Sequence, residues 1–413
     1  MAIFNSLGSN YDFNFSWLAL QQLLWPNLQS LKKLKQNLEK KFSGEVKLVW
    51  KGRDAIEYAL ASYGIGEGDV VATQAFTCVS IEEATQRVGA KIAYLDLPKE
   101  KIQLDAATFI PQIKKIKKIK AVILQHTLGY VDEVEKIAAY CQENQILLIE
   151  DLAQSFGANY ALEAEVGSLA DAIILSFGRD KVVDGISGGA VVFKTKPKKD
   201  IKIPFAFPAT ADEVAENKQK KRLVFKDLFY PLLTWLIRKS YDLYLGKLLH
   251  LLAKKFNWFY SPVQSFHQHF LSLPAYYAPL VNYQLSLVDE QLEHRHKLAY
   301  FYYNCLQKNK KTKIPFDREA IKLGANLRFP LLVQNVDDLI KYLAKNKIYL
   351  ADRWYRQPVA CGSLNCDHSY EKGSCPQAEN LAKNIVNLPT HQEIDLQKAE
   401  KIVQIIEQWT QER

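Results

Sequence analysis

The sequence of 413 residues is 48% hydrophobic and 24% charged. This composition supports a large buried core in two domains or more and argues against global disorder. The formal net charge of +9 is concentrated in lysine clusters such as residues 114–120, and such clusters are most often solvated surface. The sequence contains no arginine-rich arm interleaved with aromatic residues, so we expect no nucleic-acid partner.

The first residues lack the basic segment and the small-residue cleavage site of a secretory signal. The nearest apolar run, residues 17–25, is interrupted by Gln21 and Gln22 and is too short to span a bilayer. We therefore expect a cytoplasmic protein whose six cysteines are reduced thiols. Residues 1–44 are predicted to form an N-terminal helical segment.

Residues 45–200 alternate short apolar, β-branched runs with amphipathic stretches. This alternation predicts a large α/β domain, with a mostly parallel sheet of about seven strands flanked by helices. The predicted strands are residues 46–50, 69–73, 92–97, 121–125, 146–150, 172–177 and 190–194. The predicted helices between them are residues 55–63, 80–88, 106–116 and 134–144. The C-terminal ends of parallel strands share one edge of such a sheet, where ligands usually bind.

Residues 201–264 depart from this alternation and are interpreted as an insertion. After a polar connector, residues 222–260 combine leucines and aromatic residues with many lysines and arginines but only two aspartates. Added helical core or dimer packing is the favoured interpretation. Peripheral docking on an anionic membrane is the main alternative, because an amphipathic basic helix can lie in the bilayer interface.

Residues 265–413 predict a smaller α+β C-terminal domain. Its predicted elements are a helix at 285–306, a strand at 327–333, a helix at 336–345 and two later helices. The loop at 360–376 holds three cysteines and a histidine whose spacing fits no familiar zinc motif: Cys361, Cys366, His368 and Cys375. An ordinary loop is therefore favoured over a metal site.

Two strand ends of the predicted sheet carry residues suited to chemistry. Asp151 closes an apolar strand, where it could cap a helix or pair with a buried cation such as a protonated ring nitrogen. Ser176 ends the next strand and Lys181 follows it. A lysine held in a partly desolvated site becomes a nucleophile for aldehydes, although a surface lysine is the default interpretation.

A third segment lies upstream, where Gly52 and Arg53 join the first predicted strand to the first long helix. A glycine turn at a helix N-terminus is suited to binding a phosphate, because backbone N–H groups and the helix dipole point there. Arg53 could add a bidentate contact. A simple capping turn explains the same residues equally well.

Taken together, these segments resemble the DegT-type sugar aminotransferases, a branch of the fold-type I pyridoxal-phosphate enzymes. The resemblance covers about residues 46–194 and 279–410. In chain order the similar segments are residues 51–56, Ala75-Phe76-Thr77-Cys78, Val88-Gly89-Ala90-Lys91, Gln125-His126-Thr127-Leu128-Gly129, Glu150-Asp151-Leu152-Ala153-Gln154-Ser155-Phe156-Gly157, Ser176 to Gly189, Cys375-Pro376-Gln377-Ala378-Glu379 and Asn387-Leu388-Pro389-Thr390-His391.

The resemblance implies that pyridoxal 5′-phosphate is the cofactor and that Lys181 holds it as a Schiff base and moves the proton during amino transfer. It further implies that Asp151 binds the ring nitrogen and that Gln154 binds the phenolic oxygen. The other implied site residues are Gly52, Arg53 and Ser176 for the phosphate, Cys78 beside the ring, Asn282 for the phosphate of a second subunit in a homodimer, and His126 and His391 for the substrate.

The implied activity is transfer of an amino group from glutamate or glutamine to a keto sugar carried on a nucleotide, as in cell-surface polysaccharide biosynthesis. A pyridoxal-phosphate-dependent sugar dehydratase is an alternative, but such relatives have a histidine where this chain has Lys181. A non-catalytic regulatory or membrane-associated scaffold also stays open, because the chain departs from the family pattern. The departures are Arg53 for a threonine, Cys78 for an aromatic residue and Gln284-Leu285 for an Arg-Met pair.

Overall fold

The computed structural model describes residues 2–161, 164–207, 214–259, 269–350, 354–360 and 367–412. Its strands are β1 (Ile3–Phe4), β2 (Glu45–Val49), β3 (Val70–Gln74), β4 (Thr77–Cys78), β5 (Lys91–Leu95), β6 (Ile119–Gln125), β7 (Leu147–Asp151), β8 (Ala172–Ser176), β9 (Gly189–Phe193), β10 (Thr312–Lys313), β11 (Arg328–Val333), β12 (Ile348–Tyr349), β13 (Val359–Ala360) and β14 (Ile385–Pro389). Its helices are α1 (Phe13–Leu24), α2 (Gln29–Phe42), α3 (Gly52–Ser62), α4 (Ser80–Arg87), α5 (Ala106–Ile113), α6 (Val134–Glu143), α7 (Val214–Ser240), α8 (Leu245–Lys255), α9 (Ala278–Ser286), α10 (Val288–Leu306), α11 (Glu319–Leu323), α12 (Val336–Lys345), α13 (Pro376–Asn384) and α14 (Leu396–Gln411).

Seven strands form the central sheet in the order β2-β9-β8-β7-β6-β3-β5. The five strands from β8 to β5 run parallel to one another. Strand β9 runs antiparallel to both of its neighbours, β8 and β2. Each of the seven predicted strands is present and ends within two residues of its predicted limits. The predicted mostly parallel α/β sheet is therefore confirmed.

Helices cover both faces of this sheet, which explains why its strands are largely apolar. Ile149 of β7 belongs to a buried cluster with Ile56 of α3. Its neighbour Leu148 belongs to a different cluster, with Phe109 of α5 and Ile137 of α6. Because successive strand residues point to opposite faces, a strand buried on both sides requires an unbroken apolar run.

The C-terminal part is α+β, as predicted. Strands β10, β11 and β14 form an antiparallel sheet, and α10, α12 and α14 contribute Leu298, Leu339 and Ile402 to one core with it. The predicted helix at 285–306 is two helices, α9 and α10, that separate at Leu287. Strand β14 was not predicted, because its five residues are a short apolar run that periodicity does not assign to strand or helix.

Helices α1, α7 and α8 pack side by side. The rings of Phe13 in α1 and Trp235 in α7 have centroids 5.5 Å apart. On the α8 side, Phe229 of α7 lies 5.4 Å from Trp258. Within the described ranges no helix is both long and apolar enough to cross a membrane. The three boundaries drawn from the sequence between its four segments stay predictions.

Candidate active site

A cavity of about 970 Å³ lies at the C-terminal ends of β6, β7 and β8. The last residue of each of these strands lines it: Gln125, Asp151 and Ser176. Lys181 and Gly52 also line the wall, as do the predicted cofactor residues Arg53, Cys78 and Gln154. The fold thus brings together the residues assigned to the cofactor within one chain.

Asp151 and Lys181 face the cavity from adjacent parts of the sheet edge. Oδ1 of Asp151 accepts a hydrogen bond of 2.9 Å from the Ala153 N–H, and no described residue donates to Oδ2. Nζ of Lys181 lies 4.7 Å from the ring centroid of Trp354. Burial raises the pKa of the Asp151 carboxyl and lowers the pKa of the Lys181 amine. A buried carboxylate with an unused oxygen fits a cationic ring nitrogen, and an amine with a lowered pKa fits a nucleophile.

An ion pair links the loop that carries Lys181 to helix α7 of the insertion. Nη2 of Arg179 lies 2.6 Å from Oδ1 of Asp227 in α7, and both side chains are buried. The guanidinium also stacks 3.8 Å from the ring centroid of Tyr230, and the Tyr277 hydroxyl donates to Oδ2 of Asp227 over 2.7 Å. Helix α7 therefore fixes the backbone two residues before Lys181.

A second anchor comes from the N-terminal segment. The hydroxyl of Tyr11 donates to Oδ1 of Asp184 over 2.6 Å. The amide of Asn10 donates to Oδ2 of Asp184 and to the carbonyl oxygen of Lys181. Because Asp184 also accepts from the N–H groups of Asp180 and Ile186, the whole turn around Lys181 is tied to this segment.

The turn before α3 has the shape of a phosphate cradle. A Cβ added to Gly52 would lie 2.9 Å from Cβ and 3.0 Å from Oγ of Ser176, so no side chain fits there. The first N–H groups of a helix have no acceptor within the helix and attract anions. The Gly52 backbone and the Ser176 hydroxyl therefore fit the phosphate of the cofactor that the sequence implies.

We expect Gly52→Ala to weaken binding of pyridoxal phosphate about tenfold or more, because the added methyl group displaces Ser176 or the turn, at a typical cost of about 1–3 kcal/mol. Titration of the apoprotein followed by absorbance measures the affinity. Gly66→Ala is the matched control, since its Cβ would meet no atom closer than 3.4 Å. Equal affinities for both variants would contradict the cradle.

Lys51 is a cavity residue that the sequence did not assign to the site. It immediately precedes Gly52 and is 8% exposed. The pKa of its amine is lowered to about 8, chiefly by burial; Arg53 and Arg179 act in the same direction, and the charges of Asp227 and Asp54 oppose them. A lysine among many gives no distinct pattern in the sequence, so only its position in the fold marks it as a second cation near the cradle.

We expect this lysine to make anion binding depend on pH. Below its pKa of about 8 the amine is charged and attracts an anion; above it the attraction is lost. Sulfate keeps its charge over this range, so its affinity for the apoprotein should fall about tenfold from about pH 7 to about pH 9. Isothermal titration calorimetry measures this affinity for sulfate. Lys51→Gln should bind sulfate more weakly and with little pH dependence; an unchanged pH profile would exclude Lys51 as its cause.

Three of the cavity residues already have protein partners. Oε1 of Gln154 accepts a 2.6 Å hydrogen bond from the Leu128 N–H, and its amide nitrogen donates to the Tyr355 hydroxyl. Nη1 of Arg53 lies 2.6 Å from Oε2 of Glu83 in α4. Sγ of Cys78 lies 3.2 Å from Oγ of Ser80. Gln154 and Arg53 are thus held in fixed positions in the cavity wall.

Three other predicted site residues do not line this cavity. Nε2 of His126 lies 2.7 Å from Oε2 of Glu150, and both side chains are buried. Nε2 of His391 lies 2.9 Å from the carbonyl oxygen of Phe4. Asn282 in α9 donates to the Ser30 carbonyl oxygen and accepts from Asn37. The two substrate contacts and the contact to a second subunit stay predictions.

The zinc alternative involves Cys361 and Cys366, which lie outside the described residues.

Another part of the cavity wall, aromatic and basic, was not predicted from the sequence. It is built by distant segments, and its residues include Phe4, Tyr241, His250, Lys254, Tyr349 and Arg356. Phe4 stacks on Tyr349 with centroids 5.3 Å apart and meets Tyr241 edge-on at 4.8 Å. Aromatic side chains in three separate segments carry no local signal that they will meet.

Parts of the chain are similar in sequence to known proteins. A pleiotropic regulatory protein of Geobacillus stearothermophilus is 34% identical over 141 residues, 34% of this chain and 37% of that protein. A GDP-perosamine synthase of Escherichia coli O157:H7 is 29% identical over 170 residues, 40% of this chain and 46% of that protein. The aligned stretches thus span less than half of these curated relatives.

A solved structure of a DegT DnrJ EryC1 StrS aminotransferase from Brucella abortus superimposes with a TM-score of 0.67. The match covers 96% of this chain and 95% of that one at 19% identity, which establishes the fold-type I architecture. Residues 32–223 and 271–407 match the sequence profile of the DegT/DnrJ/EryC1/StrS aminotransferase family. These residues include most of the cavity described above and make up most of the chain. The protein therefore belongs to the DegT/DnrJ/EryC1/StrS family of pyridoxal-phosphate-dependent aminotransferases.

Proposed function

We propose that the protein is an aminotransferase that moves the amino group of glutamate or glutamine to a keto sugar carried on a nucleotide. The observation that carries this proposal is the placement of Lys181 and Asp151 at one cavity edge, next to the cradle formed by Gly52 and Ser176. Family membership supplies the reaction class, and Lys181 and Asp151 offer the amine and the carboxylate that the proposal assigns to this reaction.

Pyridoxal phosphate, when bound, supplies an aldehyde for amines and a ring that withdraws electrons. Asp151 would keep the ring nitrogen protonated, because its buried carboxylate is stabilised by an adjacent cation. Gly52 and Ser176 would fix the phosphate and so orient the ring. Nζ of Lys181, with its lowered pKa, would take the proton from the α-carbon of the amino donor.

The aromatic and basic part of the cavity wall supports the proposed acceptor. Phe4, Tyr241 and Tyr349 offer aromatic surface, on which a nucleobase can stack. Lys254 and Arg356 line the same cavity and are suited to the phosphates of a nucleotide. The relative named as a GDP-perosamine synthase is consistent with an acceptor of this class.

The proposal is tested in two half-reactions with protein loaded with pyridoxal phosphate. With glutamate alone, we expect one 2-oxoglutarate per chain. A GDP- or UDP-linked keto sugar should then exchange its carbonyl oxygen for an amino group, detected by mass spectrometry, as the nitrogen of the donor is transferred. Release of the donor's oxo acid without any amino sugar would reject the nucleotide-sugar acceptor. Formation of neither 2-oxoglutarate from glutamate nor 2-oxoglutaramate from glutamine would reject the transaminase.

The relative named as a pleiotropic regulatory protein gives reason to keep a regulatory role as a second candidate. Such a protein would bind pyridoxal phosphate without turnover, an outcome that the same half-reactions identify.

We also propose that the protein is a cytoplasmic homodimer in which Asn282 of one subunit contacts the other subunit. Sedimentation of wild type and Asn282→Ala, together with their cofactor affinities, tests it.

A further inference from the structure

Exposed apolar side chains are concentrated on one part of the surface, which we name the α1/α7/α8 layer (residues 13–25 and 222–256). The exposed members are Phe13, Trp17, Leu24, Trp25, Phe225, Leu236, Leu243, Tyr244, Leu245, Leu248, Leu251, Leu252 and Phe256. Only a few other large apolar side chains are exposed in the described ranges. Exposed apolar side chains that are concentrated in this way are typical of a site of contact with a protein or a membrane.

The three helices form one continuous layer because α7 lies between α1 and α8. On one side, Arg238 of α7 donates to the carbonyl oxygen of Tyr11, next to the start of α1, over 2.6 Å. On the other side, Lys226 donates to the carbonyl oxygen of Asn257, just after α8, over 2.9 Å. The exposed side chains therefore lie on helices that are direct neighbours.

Helix α8 has two distinct faces. Gly246 packs so closely on α7 that an added Cβ would lie 2.3 Å from the Ile237 carbonyl oxygen, and Ala253, two turns later, is also buried. Leu245, Leu248 and Leu252 follow the i, i+3, i+7 spacing of one helix face and are exposed by 54%, 53% and 41%. The helix thus turns a row of leucines away from the protein.

The layer is also strongly basic. Its exposed basic residues include Arg222, Lys254 and Lys255, and Lys239, which lies 3.8 Å from Glu393 outside the layer. The only two acids in residues 222–256 are both paired: Asp227 with Arg179, and Asp242 with Lys347. Apolar side chains bordered by exposed lysines such as Lys254 and Lys255 match the anionic surface of a lipid bilayer, where leucines enter the acyl boundary and lysines meet phosphates.

We propose that the α1/α7/α8 layer docks the protein on the surface of an anionic lipid bilayer. A second copy of the chain is a poorer partner, because a symmetric contact of this layer with itself would bring two positively charged surfaces together. Helix α8 also lines the active-site cavity with His250 and Lys254, so docking would bring one wall of that cavity close to the membrane. This inference is independent of the proposed reaction, since it concerns where the protein lies and not what it converts.

The test is flotation of the full chain, loaded with pyridoxal phosphate, with vesicles of phosphatidylcholine alone or mixed with phosphatidylglycerol. We expect flotation only with the anionic vesicles and its loss at high salt. Leu248→Ser/Leu251→Ser and Lys247→Glu/Lys255→Glu should each weaken binding about tenfold or more, since leucine burial and lysine attraction both contribute. Neither change should alter the absorbance of the bound cofactor, which separates failed docking from failed folding.

Two matched controls carry the same changes on a different surface. Leu396→Ser removes an exposed leucine of α14, and Lys308→Glu/Lys310→Glu reverses two exposed lysines after α10; both should float like wild type. The proposal is overturned if wild type stays in solution with anionic vesicles or if the controls lose binding equally. It is also overturned if Leu248→Ser/Leu251→Ser splits an oligomer in sedimentation while wild type binds no vesicles, because the layer would then join copies of the chain.

Discussion

Lys181→Ala is expected to abolish amino transfer while leaving the fold intact. The side chain faces the cavity and does not belong to the buried cores, so its truncation leaves the sheet unchanged. Loss of the group that moves the proton typically lowers the rate about 10²–10⁴-fold. Here the covalent hold on the cofactor is lost as well, so we expect turnover to fall to the upper end of that range or beyond.

The measurement combines activity with covalent capture of the cofactor. Borohydride reduction of loaded wild-type protein should attach the cofactor permanently to the peptide that contains Lys181, as seen by mass spectrometry. Lys202→Ala, which removes an exposed lysine at the edge of the insertion, should be labelled like wild type. Labelling of Lys51 in place of Lys181 would show that the wrong cavity lysine has been assigned.

Asp227→Ala is expected to be the most destabilising single change near the site. Removing one partner of a buried ion pair typically costs about 3–5 kcal/mol in the free energy of unfolding, because the other charge stays buried and uncompensated. Here the remaining group would be Arg179, whose side chain is 7% exposed. Since Lys181 follows two residues later, cofactor affinity should fall too. Urea unfolding and cofactor titration measure the two effects.

Asp242→Ala provides the matched control within the same insertion. Its ion pair with Lys347 is solvent-exposed, and such pairs contribute about 0–1 kcal/mol. A second comparison replaces both buried partners, as Arg179→Met/Asp227→Leu. If burial of an unpaired charge is the cause, the double variant should be more stable than Asp227→Ala alone. Equal losses for Asp227→Ala and Asp242→Ala would contradict the anchoring role of the buried pair.

The parts that the sequence predicted are those that local patterns determine. The central strands are buried on both faces, so each appears as an apolar run, and Asp151 and Ser176 could be placed because a strand end is visible in the sequence. The parts that it missed depend on residues far apart in the chain. Arg179 and Asp227 are 48 positions apart, and no periodicity links them.

Gln154 shows what a sequence motif does not predict about a side chain. A motif resemblance assigned its side chain to the cofactor, and the residue does line the cavity. Its amide, however, is bonded to Tyr355, which lies 201 positions away. A motif identifies which residue reaches a site but not the hydrogen bonds that orient it, because those depend on partners from other elements.

The N-terminal segment has a consequence for the order in which the protein folds. Strand β1 pairs with β12, the Phe4 carbonyl oxygen contacts His391 across 387 positions, and Tyr11 holds Asp184 across 173. Contacts between such distant residues form slowly, because the intervening chain must first be brought together. This segment is synthesised before the residues that it contacts and is thus among the last to reach its place, and refolding should restore the sheet before it restores the capacity to bind cofactor.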